Sequence, residues 1–159
     1  MRKQPTTHDL DALVLAGGES KRVGSPKALL PLDGTTLIGT IIARLQPLFR
    51  KVLVVARDNK TLADLGVEIV TDSHLERGPL VGLARGLSAS DAPWCFVVGC
   101  DMPSLNQQVI RRMTERLRGC DILAPELGGW LQPLHAFYSQ GCLPYARDLL
   151  DNGVTSLRA

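Results

Sequence analysis

The spacing of hydrophobic positions changes along the chain, from short uninterrupted runs to stripes of helical period and back. Residues 10–15 form an apolar run broken by Asp11 and ended by Gly17 and Gly18, the pattern of a buried strand entering a loop. Leu37, Ile38, Ile41, Ile42, Leu45 and Leu48 then recur on one helical face, and Pro47 predicts the end of that helix. Residues 52–56 and 67–70 are rich in β-branched side chains, which predicts two strands separated by a polar segment with room for a helical turn or two. Residues 78–90 return to helical spacing through Leu80, Leu83, Ala84 and Leu87, and residues 94–98 are again an uninterrupted apolar strand. Beyond Pro103 the spacing predicts a helix over 105–117, strands over 122–124 and 131–138, and a last helix over 143–150. Such alternation implies an α/β fold in which a mostly parallel sheet carries helices on both faces. Chemistry is then expected just beyond the carboxyl ends of the strands.

Composition narrows the picture. The 159 residues suit a single domain over 1–159, long enough to remove roughly 70% of the unfolded surface from water. No run approaches the roughly 18 uncharged apolar residues of a membrane span. The first residues carry Arg2 and Lys3 but no apolar run before a cleavage site, so a cytoplasmic location is expected. Cys95, Cys100, Cys120 and Cys142 form no CxxC pair and His8, His74 and His135 are scattered, which favours reduced, packed thiols over a zinc site. A net charge of +2, without basic blocks alternating with aromatics, gives no footprint for nucleic acid. The chain ends at Ala159 in what reads as the middle of an element, so a further C-terminal segment is expected to be missing.

Three segments that follow strands carry candidate chemistry. In 15–27, LAGGESKRVGSPK, glycines let the backbone approach a ligand while Lys21, Arg22 and Lys27 supply cations, a combination suited to an anion. The spacing matches neither GxxxxGK[ST] nor GxGxxG, which removes the main support for a P-loop ATPase or a dinucleotide dehydrogenase. A surface turn with solvated charges remains the bland alternative. In 97–103, VVGCDMP, Asp101 stands at the end of a buried strand, where it can hold Mg2+ or cap the helix after Pro103. Asp72 ends another strand and can accept hydrogen bonds from a ribose or base. Gly78 and Pro79 open a helix whose free N–H groups can face the same ligand or serve only to start it. Trp130, Gln132 and Pro133 can line an acceptor pocket, although an aromatic there can equally be core.

These residues also resemble a family. LAGGESKRVGSPKALLPLDG is similar to the LAGGxSxRMGxxKxLL signature of the MobA-like nucleotidyltransferases, with Val23 in place of the usual methionine and Pro26 where an aspartate often precedes the lysine. The resemblance continues through TDS at 71–73, GPLVGL at 78–83, CDMP at 100–103, QPLHAFY at 132–138 and LPYARDLLDNGVTSLR, in order across nearly the whole chain. It implies a three-layer Rossmann-like fold and transfer of GMP from GTP to the phosphate of molybdopterin with Mg2+, other cofactor-synthesis proteins being further partners. It further implies that Leu15, Ala16, Gly17 and Gly18 hold the nucleotide, with Lys27 and Arg22 on its phosphates, Asp72 on its nucleoside and Asp101 on the metal. Two departures stand out. Val55 occupies a place where MobA proteins can carry an asparagine, and no NxNTPxD-like segment follows. The rival expectations are a cytidylyl- or sugar-phosphate nucleotidyltransferase of the same fold, and a nucleotide-binding domain that has lost the reaction.

Overall fold

The computed structural model describes residues 5–17, 26–71 and 77–158. A 3-10 turn at Thr7–Asp9 leads into β1 (Asp11–Leu15), a strand buried at every position. After a second 3-10 turn at Lys27–Leu29, β2 (Pro31–Leu32) and β3 (Thr35–Thr36) form a small hairpin about Asp33 and Gly34, both at positive φ. There follow α1 (Leu37–Leu45), β4 (Lys51–Ala56), β5 (Glu68–Thr71), α2 (Pro79–Ala89), β6 (Trp94–Gly99), α3 (Gln107–Thr114) and β7 (Ile122–Leu123). A hairpin of β8 (Glu126–Leu127) and β9 (Trp130–Leu131), then β10 (His135–Ser139) and α4 (Cys142–Asp151), complete the described elements.

The main sheet runs β5-β4-β1-β6-β10-β7. β5, β4, β1 and β6 are parallel, and β10 is antiparallel to both β6 and β7. Strand alternation sorts the core into two layers. Ala12, Val14, Val52, Val54, Phe96, Val98 and Phe137 face α1 and α3, where Ile38, Ile41, Leu45 and Ile110 cover them. Leu13, Leu15, Leu53, Val55, Val97 and Ala136 face α2 and α4, under Leu80, Leu83, Leu87 and Ala146. Helices therefore lie on both faces of a mostly parallel sheet, the three-layer arrangement expected from the alternation.

Local chemistry accounts for most boundaries. Thr36 caps α1 by accepting the Gly39 N–H at 3.1 Å, and the helix stops at Leu45, three residues short of the expected stripe, with Leu48 buried in the turn beyond it. Asn106 caps α3 by accepting from the N–H groups of Gln108 and Val109, so that helix starts two residues later than its spacing predicted. The expected strand over 131–138 is in fact two, β9 and β10, separated by a kinked segment. There the Gln132 N–H is turned back to the Pro125 carbonyl at 2.9 Å, and the His135 N–H to the Gln132 carbonyl at 3.1 Å.

Asp11, at the amino end of β1, is fully buried and paired. Arg50 meets it through two hydrogen bonds, Nε to Oδ1 at 3.0 Å and a guanidinium nitrogen to Oδ2 at 2.9 Å, and the Ser90 hydroxyl donates to Oδ2 at 2.6 Å. Arg50 also contacts exposed Asp91. The hydrogen bond to Asp11, then that to Asp91, holds the Arg50 pKa above its ordinary value. This cluster ties β1, the start of β4 and the α2–β6 turn together at the edge opposite the strands' carboxyl ends.

The four cysteines are free, and Cys95, Cys100 and Cys142 are buried. Burial pushes the Cys95 thiol up to about 12 and raises those of Cys100 and Cys142. Native protein should therefore label first at Cys120 with a thiol reagent, the other three reacting only on unfolding; rapid native labelling of Cys95 would contradict its burial. Arg50→Ala should lower the unfolding free energy by about 3 kcal/mol, the lower end of the range for stranding a buried charge, because Arg50 itself is partly exposed. Asp91→Ala should leave the denaturant midpoint near that of the parent protein. Equal effects in the two variants would show that Asp11 is not what Arg50 serves.

Candidate functional site

The carboxyl edge of the sheet brings four strand ends together. The Ala16 N–H donates to the Val55 carbonyl at 2.8 Å, the Cys100 N–H to the Leu15 carbonyl at 3.1 Å, and the Gly99 N–H to the Leu134 carbonyl at 3.3 Å. These bonds extend the β4-β1-β6-β10 ladder one step past the strands, so the turns after β1 and β6 leave side by side. Leu15 is buried, Ala16 is half-buried and Gly17 is exposed, with no atom of the described residues, its chain neighbours apart, within 4 Å of where its side chain would stand. The nucleotide-holding residues expected at 15–17 thus form a graded exit from core to surface.

Lys27 opens its 3-10 turn beside this exit, anchored by buried Ala28. Its Nζ lies 3.7 Å from Asp101 Oδ2, with the two side chains 54% and 53% exposed. A pair so open contributes under about 1 kcal/mol to stability, so its placement is not explained by folding. It sets a cation and an anion next to each other over the β1 and β6 ends, one suited to phosphate oxygens and the other to a cation. Gly99 has a part in this: a methyl group there would sit 2.9 Å from Asp101 Oδ1, so glycine leaves room for the carboxylate to fold back over the strand end. The alternative in which Asp101 caps the following helix is overturned, because Asn106 occupies that cap. Among the described residues no group of three or more His, Cys, Asp or Glu could hold a metal by itself. A single strand-end carboxylate fits an ion such as Mg2+, which arrives on substrate phosphates and retains water.

Gly18, Arg22 and Asp72 lie outside the described residues, as do Lys21 and Gly24. Lys27, Asp101, Leu15, Ala16 and Gly17 are brought to one edge. At the α2 N-terminus the Leu80 N–H is taken by the Thr155 carbonyl at 3.1 Å and Pro79 has none to offer, which leaves fewer donors there for a ligand. Val55 is 2% exposed, and its side chain belongs to the layer beneath α2 while its carbonyl serves Ala16. His135, at the same edge, packs edge-on to Phe96 at 5.0 Å, and burial lowers its pKa, keeping it neutral near pH 7. Trp130 is not core: it is 71% exposed on the β8–β9 hairpin. The hairpin and the role of Gly99 were missed from sequence, although Gly128-Gly129 between apolar residues is a two-residue turn signal.

Comparison with known proteins agrees with this arrangement. A family model, the MobA-like NTP transferase domain, matches residues 12–159. A probable molybdenum cofactor guanylyltransferase of Pelotomaculum thermopropionicum is 36% identical over 131 residues, covering 82% of this chain and 64% of that protein. The molybdenum cofactor guanylyltransferase of Syntrophotalea carbinolica is 32% identical over 148 residues, covering 92% and 70%. The chain thus spans about two thirds of the length of these relatives. The crystal structure of molybdopterin-guanine dinucleotide biosynthesis protein A from Archaeoglobus fulgidus superposes with a TM-score of 0.76 at 26% identity, covering 91% of this chain and 75% of that one. With a family model over nearly the whole chain and relatives above 30% identity, the chain belongs to the MobA-like NTP transferase domain family.

Proposed function

We propose that the protein is a guanylyltransferase that moves GMP from GTP to the phosphate of molybdopterin and releases pyrophosphate. The observation that carries this is the adjacency of exposed Lys27 and Asp101 over the carboxyl ends of β1 and β6, beside Leu15–Gly17. The names of the relatives supply the substrates. Leu15, Ala16, Gly17 and Gly18 hold the nucleotide, Lys27 and Arg22 meet its phosphates, Asp72 contacts the nucleoside, and Asp101 binds the metal. Mg2+ held there would neutralise phosphate charge and orient the reacting phosphate. The reaction runs in the cytoplasm, and among the described residues no helix is long and apolar enough to cross a membrane.

In the transfer, a molybdopterin phosphate oxygen forms a bond to the α-phosphorus of GTP as the bond to the pyrophosphate oxygen breaks. The nucleophile is a phosphate monoester with a second pKa of about 6, already largely ionised at neutral pH, so no general base is needed. Neutral His135, packed on Phe96, is consistent with this economy. Positioning and charge neutralisation are the protein's contribution.

Val55 supports a second reading of base choice. Where some relatives can carry a polar asparagine, this chain has a buried aliphatic side chain, so a cytidylyl or sugar-phosphate activity of the same fold stays open to test.

Pyrophosphate release should be GTP-dependent and acceptor-dependent. Asp101→Asn should reduce kcat by about 100-fold or more, while its thermal midpoint stays close to the parent's because the side chain is half exposed. Full activity in that variant would remove the metal assignment. Lys27→Ala should raise KM for GTP by about tenfold, the scale of a charge-assisted phosphate contact, and an unchanged KM and kcat would end its phosphate role. Thermal protection compared across GTP, CTP and UTP decides the base. A ligand at about 100 times its Kd stabilises by about 2.7 kcal/mol, and stronger protection by CTP would select the second reading.

A further inference from the structure

We propose that Trp130, with Leu127 beside it, is the platform on which the planar ring of the acceptor stacks; this rests on the transferase reading of the site. β7 pairs with β10 and runs toward the carboxyl edge of the sheet, and β10 runs back from it, starting with His135 opposite Val98 near the end of β6. The β8–β9 hairpin is the tip of that excursion, so it stands above the edge that carries Asp101. The Gly99 N–H is bonded to the Leu134 carbonyl, four residues after Trp130. At the length of an extended chain, the Trp130 backbone is within about 14 Å of that bond.

The hairpin holds its side chains in a set place. Gly128 and Gly129 both have positive φ, at 59° and 82°, as the tight two-residue turn requires. Leu127 pairs directly with Trp130 across the ladder, so their side chains share one face. The neck is fastened by Gln132, whose Nε2 donates to the Trp130 carbonyl at 3.0 Å, and by the Tyr138 hydroxyl, which donates to the Pro133 carbonyl at 2.8 Å. Burial pushes the Tyr138 hydroxyl up to about 12, which keeps it a donor.

On this anchored stalk Leu127 is 73% and Trp130 71% exposed. They are therefore available to a ligand without contributing to the core. A flat heteroaromatic ring suits an indole face, since such stacking needs only a π surface and little side-chain reordering. Sheet order identifies which ring. Leu15–Gly17 follow β1 and the expected nucleoside contact follows β5, toward one end of the order β5-β4-β1-β6-β10-β7, while the hairpin belongs to the other. Lys27 and Asp101 lie between them. The ring on the hairpin side is that of the phosphate acceptor, a pterin, and not the nucleotide base.

The test combines kinetics with fluorescence, using the full chain, GTP and molybdopterin. Trp130→Ala should raise KM for molybdopterin about tenfold or more while KM for GTP and kcat stay within about twofold, and Trp130→Phe should recover most of the loss because it keeps a ring. Molybdopterin should quench the fluorescence of the parent protein, and the quenching should be absent in Trp130→Phe, since the other tryptophan, Trp94, is buried. A parent enzyme that turns over, with an unchanged acceptor KM in Trp130→Ala, overturns the platform. If the parent releases no pyrophosphate, the transferase reading fails, and the titration still decides the platform: quenching lost with Trp130 supports it and no quenching refutes it. A Trp130→Ala variant that changes oligomeric state in sedimentation but not acceptor KM assigns the face to a protein contact and also refutes it.

Discussion

The structure depends on complete burial of β1. Its backbone is bonded on both sides, to β4 and β6, and its side chains alternate between two apolar layers. A strand buried on both faces needs helices on both, which is why α1 and α3 must cover one side and α2 and α4 the other. Neither end of such a strand can turn without reaching an edge of the sheet. The amino end enters at Asp11 and the carboxyl end leaves at Leu15, and the two edges have opposite chemistry.

At the amino edge a charge is buried and fully satisfied. Asp11 receives Arg50 in bidentate geometry and the Ser90 hydroxyl besides, so its desolvation is offset by three hydrogen bonds. At the carboxyl edge the pair is loose and open: Lys27 and Asp101 are 3.7 Å apart and half exposed. The same two charge types serve contrary ends. The first ties the amino edge of the sheet together. The second costs little to separate, which leaves each charge free to turn to a ligand.

Much of this was legible in the sequence because the signals were periodic or local. β1, β4, β5 and β6 and the four helices were readable from runs and stripes, and a polar loop following β1 pointed to an anion. The helix ends were less legible, since Asn106 and Thr36 act through single hydrogen bonds that hydrophobic spacing does not encode. Asp11 read only as a break in an apolar run, because its partner Arg50 is distant in the chain. The same holds for Leu80, whose N–H is satisfied by Thr155, and for Gly99, whose missing side chain matters only once Asp101 folds back over it. Trp130 was ambiguous for another reason. Residue type alone does not tell a core aromatic from one on a two-residue hairpin, and Trp130's 71% exposure on that hairpin separates them.

The loose pair also bears on why the proposed transfer needs so little acid–base machinery. A transfer between two phosphates has a nucleophile and a leaving group that are both already anionic near neutral pH, so the obstacle is repulsion and misalignment, not proton movement. In the proposed reaction, Lys27 aimed at phosphate and Asp101 holding a metal cation would both reduce that repulsion. A basic histidine would add little, and His135 at this edge is kept neutral by its burial beside Phe96. In the proposed reaction, what remains for specificity is to hold two flat molecules on either side of the reacting phosphates. On that proposal the order of strands would supply the two sides, with β1 and β5 leading to one and β10 with its hairpin to the other.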